Sequence, residues 1–265
     1  MSYENGYEAP RYAPRGRSSR GRGNRGSRGR GAYSRGGRGN NIDGRGRRPP
    51  PQIFDPSEPV PARVLTSLLT KSGGAEELIE LYANHGETFN HVHISAFWNT
   101  MGKHVKRNYR HRRYLDQTMQ RDPATFESAR CATIRLLPSV GARELSNVAH
   151  GLASVGLSSS GKWEPLWAAI EGAVCQDHLH DLSSQGLANS IWAFATAGHA
   201  STPFYEVTGA KVIEEIEEFS PQGIANTAWA FATAGVKSRG CEDLFTAISR
   251  EMMRRDICDF KPQEL

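Results

Sequence analysis

The sequence predicts an all-α protein: a right-handed α-solenoid of helical hairpins, each about 37–42 residues long, after a disordered tail rich in arginine and glycine. Three observations support this fold class. Two fifteen-residue segments 37 residues apart are nearly identical, their apolar residues recur with helical spacing, and charge and composition change abruptly near residue 50. Helical-hairpin repeats of this length stack side by side into solenoids.

The first 50 of the 265 residues differ in composition from the rest. They contain thirteen Arg, no Lys, three acidic residues and twelve of the 27 Gly, and they carry a net charge of +10. Such a segment buries too little apolar surface to offset the entropy of ordering it. We therefore expect residues 1–60 to be a disordered tail with a proline linker, and residues 61–265 to be the repeat domain.

Arginine in this tail is interspersed with Gly and Tyr, a composition that suits single-stranded RNA. The guanidinium group pairs with phosphate and stacks on bases, so it binds RNA with little sequence preference. The alternative is a solubilising spacer that binds nothing. We expect the RNA contacts of the tail at Arg15, Arg17, Arg20, Arg22, Arg25, Arg28, Arg30, Arg35 and Arg38.

The repeat is clearest in two segments, SQGLANSIWAFATAG at 184–198 and PQGIANTAWAFATAG at 221–235, which share eleven of fifteen positions. A weaker copy, ARELSNVAHGLASVG, occupies residues 142–156, and a degenerate copy begins at His91. Apolar residues in these copies follow i, i+3, i+4, i+7 spacing and extend round most of the helix. This pattern predicts helices buried between neighbouring repeats.

Signals for helix ends frame each copy. Gly156, Gly198 and Gly235 recur at the end of the first helix, where a left-handed residue is expected. Ser183 and Ser220 are placed to cap its start. A second helix follows in each unit, with proline near its beginning in two of them.

The segment LANSIWAFATAG followed by PQGIANTAWAFATAG resembles the octotricopeptide-type repeats of organellar RNA-binding proteins. It is also similar to the leucine-rich helical region of the Fas-activated serine/threonine kinase-like family, and to the helical-repeat subunit of the kinetoplast RNA-editing substrate-binding complex. The resemblance covers about residues 75–265. It implies an α-solenoid that acts on RNA stability, processing or translation.

The same resemblance implies a location in a mitochondrion or plastid, whereas the arginine-rich tail leaves cytoplasm or nucleus as the alternative. Many such proteins continue into a C-terminal RAP domain with a nuclease-like fold. The sequence ends four residues into a further repeat, so we expect the array to be incomplete and the RAP domain to be absent from this chain.

Positions that vary between repeats are the candidates for reading RNA bases, because successive bases differ. Invariant positions are expected to be structural. Asn147, Asn189 and Asn226 therefore predict a buried, hydrogen-bonded ladder, and Trp192 and Trp229 predict core residues, with His150 in their place upstream. The candidate base-reading residues are Arg143, Gln185, Gln222 and Gln263 near the helix start, and Val148, Ser190 and Thr227 one turn later.

A second candidate RNA site is the segment KHVKRNYRHRRY at 103–114, in which six of twelve residues are Lys or Arg. Aromatic residues interleaved with basic ones suit nucleic-acid backbones and unstacked bases. The alternative is an ordinary solvated helix face or loop. The residues that we expect to contact RNA here are Lys106, Arg107, Arg110, Arg112 and Arg113.

These features predict an RNA-binding protein in post-transcriptional control, with single-stranded RNA as its main partner and ribonucleoprotein proteins as further ones. We expect no catalysis, cofactor, metal site or membrane segment, because the sequence contains no nucleophile, phosphate-loop or metal-ligand motif. The alternative is a protein-interaction scaffold whose arginine-rich tail drives condensation. A positive face along the first helices would favour RNA, and a neutral, apolar one would favour protein.

Overall fold

A computed structural model describes residues 60–199 and 201–262, and most of these residues are helical. Eleven α-helices and no strand occur among them, as the sequence predicts. The helices are α1 Ala62–Lys71, α2 Ala75–His85, α3 His91–Arg107, α4 Tyr109–Arg121, α5 Pro123–Leu136, α6 Ala142–Val155, α7 Glu164–Gly172, α8 Ser184–Ala197, α9 Thr202–Glu215, α10 Pro221–Ala234 and α11 Arg239–Arg254. Within these ranges no helix combines the length and the apolar character needed to cross a bilayer.

Helices α3 and α5–α11 form two series, and within each series a helix packs on the next member along the chain. The first helices of the repeats contact one another in chain order, α3 on α6, α6 on α8 and α8 on α10. The second helices form the other series: α5 packs on α7, the π-helical continuation of α7 at Ala173–His178 packs on α9, and α9 packs on α11. The degenerate copy that begins at His91 is the start of α3, so it belongs to the first series. The first unit consists of α3 and α5. Helix α4 lies between them in the chain and has no equivalent in the later units.

The predicted helix-end signals are confirmed. Gly156, Gly198 and Gly235 have φ values of 86°, 74° and 64° at the ends of α6, α8 and α10. The hydroxyl oxygens of Ser183 and Ser220 accept the N–H groups of Gly186 and Gly223, at 3.2 and 3.1 Å. Such caps satisfy backbone groups that the helix itself leaves unpaired.

An aromatic series joins the two helix layers in the core. Trp167 of α7 meets Phe194 of α8 edge to face, with ring centroids 5.2 Å apart, and Phe194 stacks on Phe204 of α9 at 4.0 Å. Tyr205 then contacts Phe231 of α10 at 5.0 Å. Phe194 and Phe231 are equivalent repeat positions. Phe194 therefore joins α8 to the second helices α7 and α9, and Phe231 joins α10 to α9. These ring contacts determine which side of α8 and of α10 is buried against the second helices.

Candidate nucleic-acid interface

Three side chains at i, i+4 and i+7 share one solvent-facing side of each of α6, α8 and α10. Residues with this spacing lie above one another on a helix. We call these nine residues the triad face: Arg143, Asn147 and His150 on α6, Gln185, Asn189 and Trp192 on α8, and Gln222, Asn226 and Trp229 on α10. Because α6, α8 and α10 pack in order, the triads follow one another across neighbouring helices.

The predicted asparagine ladder is wrong. Asn147, Asn189 and Asn226 are half-buried, and among the described residues none of their amides makes a hydrogen bond. They instead line two open grooves. One of about 490 Å³ contains Asn147 and Asn189, and the next, of about 380 Å³, contains Asn189 and Asn226. An amide offers two donors and an acceptor, so each of these side chains is available to a ligand.

The tryptophans were predicted to be core residues, and this is wrong for Trp229, which is 47% exposed. The buried side of α10 is formed by Ile224, Ala230 and Phe231, whereas Trp229 lies on the side of the two amides. Trp192 is half-buried on the same side of α8. An indole ring in this position presents a flat surface next to hydrogen-bonding groups, as base-stacking residues do.

The surroundings of Trp192 differ from those of Trp229. The imidazole of His150 lies 5.0 Å from the Trp192 ring, tilted by 36°, and the Lys106 ammonium is 5.2 Å from the ring centroid. This is within the range of a cation–π contact. Burial lowers the pKa of His150 to about 4, and the positive charges of Lys106 and Lys103 add to the effect. His150 is therefore neutral at pH 7, and its ring is an uncharged aromatic surface.

The predicted basic cluster is divided between different surroundings. Lys106 lies at the triad face, while Arg110 lines a groove with Glu76, Glu77 and Glu80 of α2. Arg107 and Arg113 are exposed. The structure thus places one of the five residues at the triad face and does not bring all five together.

Arg112 has a structural role that the sequence did not indicate. Its guanidinium donates to the carbonyl oxygen of Ser154 at 2.7 Å and to that of Val155, the last residues of α6. It is half-buried there. The alternative that this segment is an ordinary solvated helix face is therefore wrong at Arg112, which satisfies the end of a neighbouring helix. The predicted contact of Arg112 with RNA stays a prediction.

The candidate base-reading residues also differ in their surroundings: some are exposed and others are buried. Arg143, Gln185 and Gln222 are exposed at the start of their helices, and they line the grooves described above. The residues proposed one turn later, Val148, Ser190 and Thr227, are fully buried, so that prediction is wrong. They are at i+5 from the exposed position, on the side of the helix that faces the core.

The charge of the triad face changes along its length. Lys103, Lys106 and Arg143 make the α3–α6 end positive. Amides and indoles without charge form the α8 and α10 parts, and Asp181 and Glu218 lie at the groove edges. The face is polar and positive at one end, which fits neither a uniformly basic surface nor an apolar one.

A serine–histidine–glutamate cluster lies away from this face. The Ser159 hydroxyl is 2.7 Å from Nδ1 of His199, whose Nε2 is 2.6 Å from Glu171. This order resembles a nucleophilic triad. The N–H of Ser159, however, donates to the carbonyl of Ala197, so it is not available to stabilise an oxyanion. The cluster joins the loop after α6 to the loop after α8.

The tail arginines that were predicted to contact RNA lie outside the described residues, and so does the end of the sequence beyond residue 262. Within residues 60–199 and 201–262, no three His, Cys, Asp or Glu side chains come together as a metal site requires. No protein-family model and no curated protein matches the chain. Its function is therefore inferred from its own residues.

Proposed function

We propose that this protein binds single-stranded RNA through the triad face and acts in post-transcriptional control without catalysing a reaction. One observation carries the proposal: amides that make no hydrogen bond among the described residues, exposed or half-exposed indoles, and lysines occur together on one side of successive helices. Amides read base edges, aromatic rings stack on bases and ammonium groups pair with phosphates. Single-stranded nucleic acid uses all three, and the resemblance of the repeats to those of RNA-binding proteins favours RNA.

The proposal includes an α-solenoid arrangement of right-handed twist for the repeat domain. The packing of first helices on first helices, and of second helices on second helices, supports it. In such an array, equivalent residues of successive repeats form continuous rows. The three triads would then follow a bound strand from one repeat to the next.

The arginine–glycine tail would add affinity without sequence preference. Its charge of +10 favours phosphate contacts, whose strength depends on salt. By the resemblance of its repeats, the protein would act on transcripts of a mitochondrion or plastid, with cytoplasm or nucleus as the alternative. Proteins of the same ribonucleoprotein particle would be further partners.

A protein-interaction scaffold is the second candidate, and one observation favours it. Phe245 and Met253 of α11 are 38% and 83% exposed, and with Ser249 they line a shallow groove of about 530 Å³. An exposed apolar stripe of this kind suits a protein partner. It lies on a second helix, whereas the triads lie on first helices.

A pair of alanine variants separates the two candidates. Trp229→Ala should lower the affinity for single-stranded RNA about 5- to 150-fold, since stacking on one ring is worth about 1–3 kcal/mol. Phe245→Ala, the matched control on α11, should leave RNA affinity unchanged. Fluorescence anisotropy with a pooled RNA library at salt of about 0.2 M, where contacts of the tail are weakened, provides the measurement.

Both variants should remain folded and should melt somewhat below the parent, because each side chain is only partly exposed and alanine removes some buried apolar area. If the full chain binds no RNA in the pool, the RNA proposal fails. If Trp229→Ala binds as the parent does, the triad face is not the RNA site. Loss of RNA affinity only in Phe245→Ala would place the site on α11.

A further inference from the structure

We infer that the side of α10 and α11 that no later helix covers among the described residues is a docking surface for one more helical hairpin of the same repeat. This goes beyond RNA binding and does not depend on it. The surface consists of three small residues on α10 and three residues on α11: Ala225, Ala228, Ala232, Phe245, Ser249 and Met253. We call these six residues the end surface.

Equivalents of Phe245 in the earlier repeats are covered by the first helix of the next repeat. Trp167 of α7 contacts Phe194 of α8 with ring centroids 5.2 Å apart, and Tyr205 of α9 contacts Phe231 of α10 at 5.0 Å. Both Trp167 and Tyr205 are fully buried. Phe245 has the same place in the repeat, yet 38% of it is exposed. Among the described residues, the ring that covers its equivalents has no counterpart at Phe245.

The rest of the row on α11 differs from α9 in the same way. On α9, a Cβ at Gly209 would lie 3.2 Å from the ring of Phe231, and Ile213 one turn later is partly buried against the core. Ser249 and Met253 are the residues at these positions of α11, and both are exposed. The row by which α9 holds the next first helix is therefore present on α11 and uncovered.

Helix α10 differs from α8 in a corresponding way. Ala188 of α8 faces the next first helix, since a Cβ at Gly223 of α10 would lie 3.7 Å from the Cβ of Ala188. Ala188, Ile191 and Ala195 share this side of α8 and are buried. Their three equivalents on α10 are the alanines of the end surface, which are half-buried or exposed. Both helices of the last described repeat thus present the faces by which earlier repeats bind their successors.

These equivalences define the occupant as a hairpin whose first helix carries a phenylalanine at the position of Phe194 and Phe231. This ring would pack against Phe245, and small residues beside it would let the helix approach the alanines of α10. The sequence contains the start of such a repeat, since PQEL at 262–265 is similar to PQGI at 221–224, where α10 begins. A second copy of the chain fits less well, because its series of first helices begins with α3, and α1 already packs on α3.

A docked hairpin leaves the triad face accessible. Trp192 is only half-buried, although α8 has α6 and α10 packed on it. We expect a first helix on the end surface to cover Trp229 to a similar extent. The occupant would therefore extend the triad face and not close it.

The test adds one hairpin to the full chain. In the extended chain, a copy of residues 221–261 follows Lys261, in the register that PQGI and PQEL define. Ser249→Cys places a thiol in the centre of the end surface of either chain, and its alkylation is followed by mass spectrometry of the peptide that contains it. The thiol should react at least about tenfold more slowly in the extended chain, because the docked hairpin must open first.

Two further variants test the contact. Val207→Cys is the matched control on α9, 37% exposed and outside the end surface, and its thiol should react equally fast in both chains. Phe245→Asp introduces a charge where the docked ring would lie, so it should restore fast alkylation of Ser249→Cys in the extended chain.

The outcomes decide the inference without reference to RNA. Equal rates for Ser249→Cys in the two chains, or slow alkylation that Phe245→Asp leaves slow, would overturn it. Equal slowing at Val207→Cys would also overturn it, because protection would then not be confined to the end surface. If the rate for Ser249→Cys in the unextended chain falls as protein concentration rises, a second copy covers the surface and the hairpin is the wrong occupant.

Discussion

Arg112 lies in a basic segment, yet its side chain makes structural contacts with the end of α6. A cation at the C-terminal end of a helix interacts favourably with the helix dipole, and here it also donates to the carbonyls of Ser154 and Val155. Arg113, the next residue, is exposed. Adjacent positions on a helix point in different directions, so similar charges have different consequences.

Arg112→Ala should lower the free energy of unfolding by about 1–3 kcal/mol, because it removes hydrogen bonds from a charged donor and leaves carbonyls at the end of α6 unpaired. Arg113→Ala, the control, should change it by less than about 0.5 kcal/mol. Urea unfolding of both variants measures the difference. Equal effects of the two substitutions would show that the carbonyl contacts of Arg112 do not stabilise the domain.

His150 should make stability depend on pH. Its pKa is about 4 in the folded chain, against about 6.5 in an unfolded one. Between these values the unfolded state binds a proton that the folded state does not. The contribution of His150 to stability is therefore fully present above pH 6.5, is lost as the pH falls toward 4, and amounts to about 3 kcal/mol.

A variant isolates this contribution. Burial and the neighbouring His111 also lower the pKa of His104, so the parent carries a second dependence of the same sign. His150→Gln should lose less stability than the parent between pH 6.5 and pH 4.5, as measured by urea unfolding at each pH. Equal losses in parent and variant would mean that His150 takes up its proton equally easily in both states.

At the scale of elements, the close approach of α3 and α6 depends on Gly151. A Cβ at this position would lie 2.8 Å from the backbone nitrogen of Asn99 and closer still to the carbonyl group of Trp98. These atoms belong to the backbone of α3 and cannot move away as a side chain could. The first helices therefore pack backbone to backbone at this point.

Gly151→Ala should destabilise the domain, although alanine is the better helix former by about 1 kcal/mol. Overpacking of this kind costs about 1–3 kcal/mol in cores, and a clash with backbone lies at the upper end. Gly172→Ala in α7 is the matched control: nothing lies within 4 Å of its added Cβ, so it should be neutral or stabilising. A stabilised Gly151→Ala variant in thermal unfolding would show that α3 and α6 are farther apart than described.

The repeat pattern predicted the helices and their caps because those depend on local chemistry that recurs in each copy. It did not predict the exposed side of each helix. Apolar residues extend round most of α10, so periodicity alone does not show that Trp229 remains uncovered. The i, i+4, i+7 spacing of Gln222, Asn226 and Trp229 was the available signal.

Other features depend on contacts between distant parts of the chain, which no local pattern contains. Lys106 reaches Trp192 across 86 positions, and Arg112 reaches the end of α6 across more than forty. The basic segment around α4 has no copy elsewhere in the sequence, so the repeat could not predict that helix. Asn147, Asn189 and Asn226 recur in the repeats, yet they face grooves and not the core.

For the whole molecule, we expect the tail and the triad face to have separate roles in RNA binding. The first 50 residues carry +10 and the remaining 215 carry −5, although the α3–α6 end of the triad face is locally positive. Phosphate contacts position a strand without reading it, whereas contacts with bases determine the sequence. We therefore expect the tail to set how strongly RNA binding depends on salt, and the triad face to set which RNA binds.

Three variants test these separate roles of the tail and the triad face. Each phosphate contact with a single strand contributes about −0.7 to the slope of log K against log salt. Deletion of residues 11–48, which removes thirteen arginines, should reduce the slope by several units. The double variant Lys103→Gln and Lys106→Gln should reduce it by at most about 1.4, the share of two contacts.

Trp229→Ala should lower affinity at every salt concentration and leave the slope unchanged, since stacking releases no counterions. A tail deletion with the slope of the parent would show that the tail does not contact RNA, and a changed slope in Trp229→Ala would show that this residue orders charged groups instead of stacking on a base.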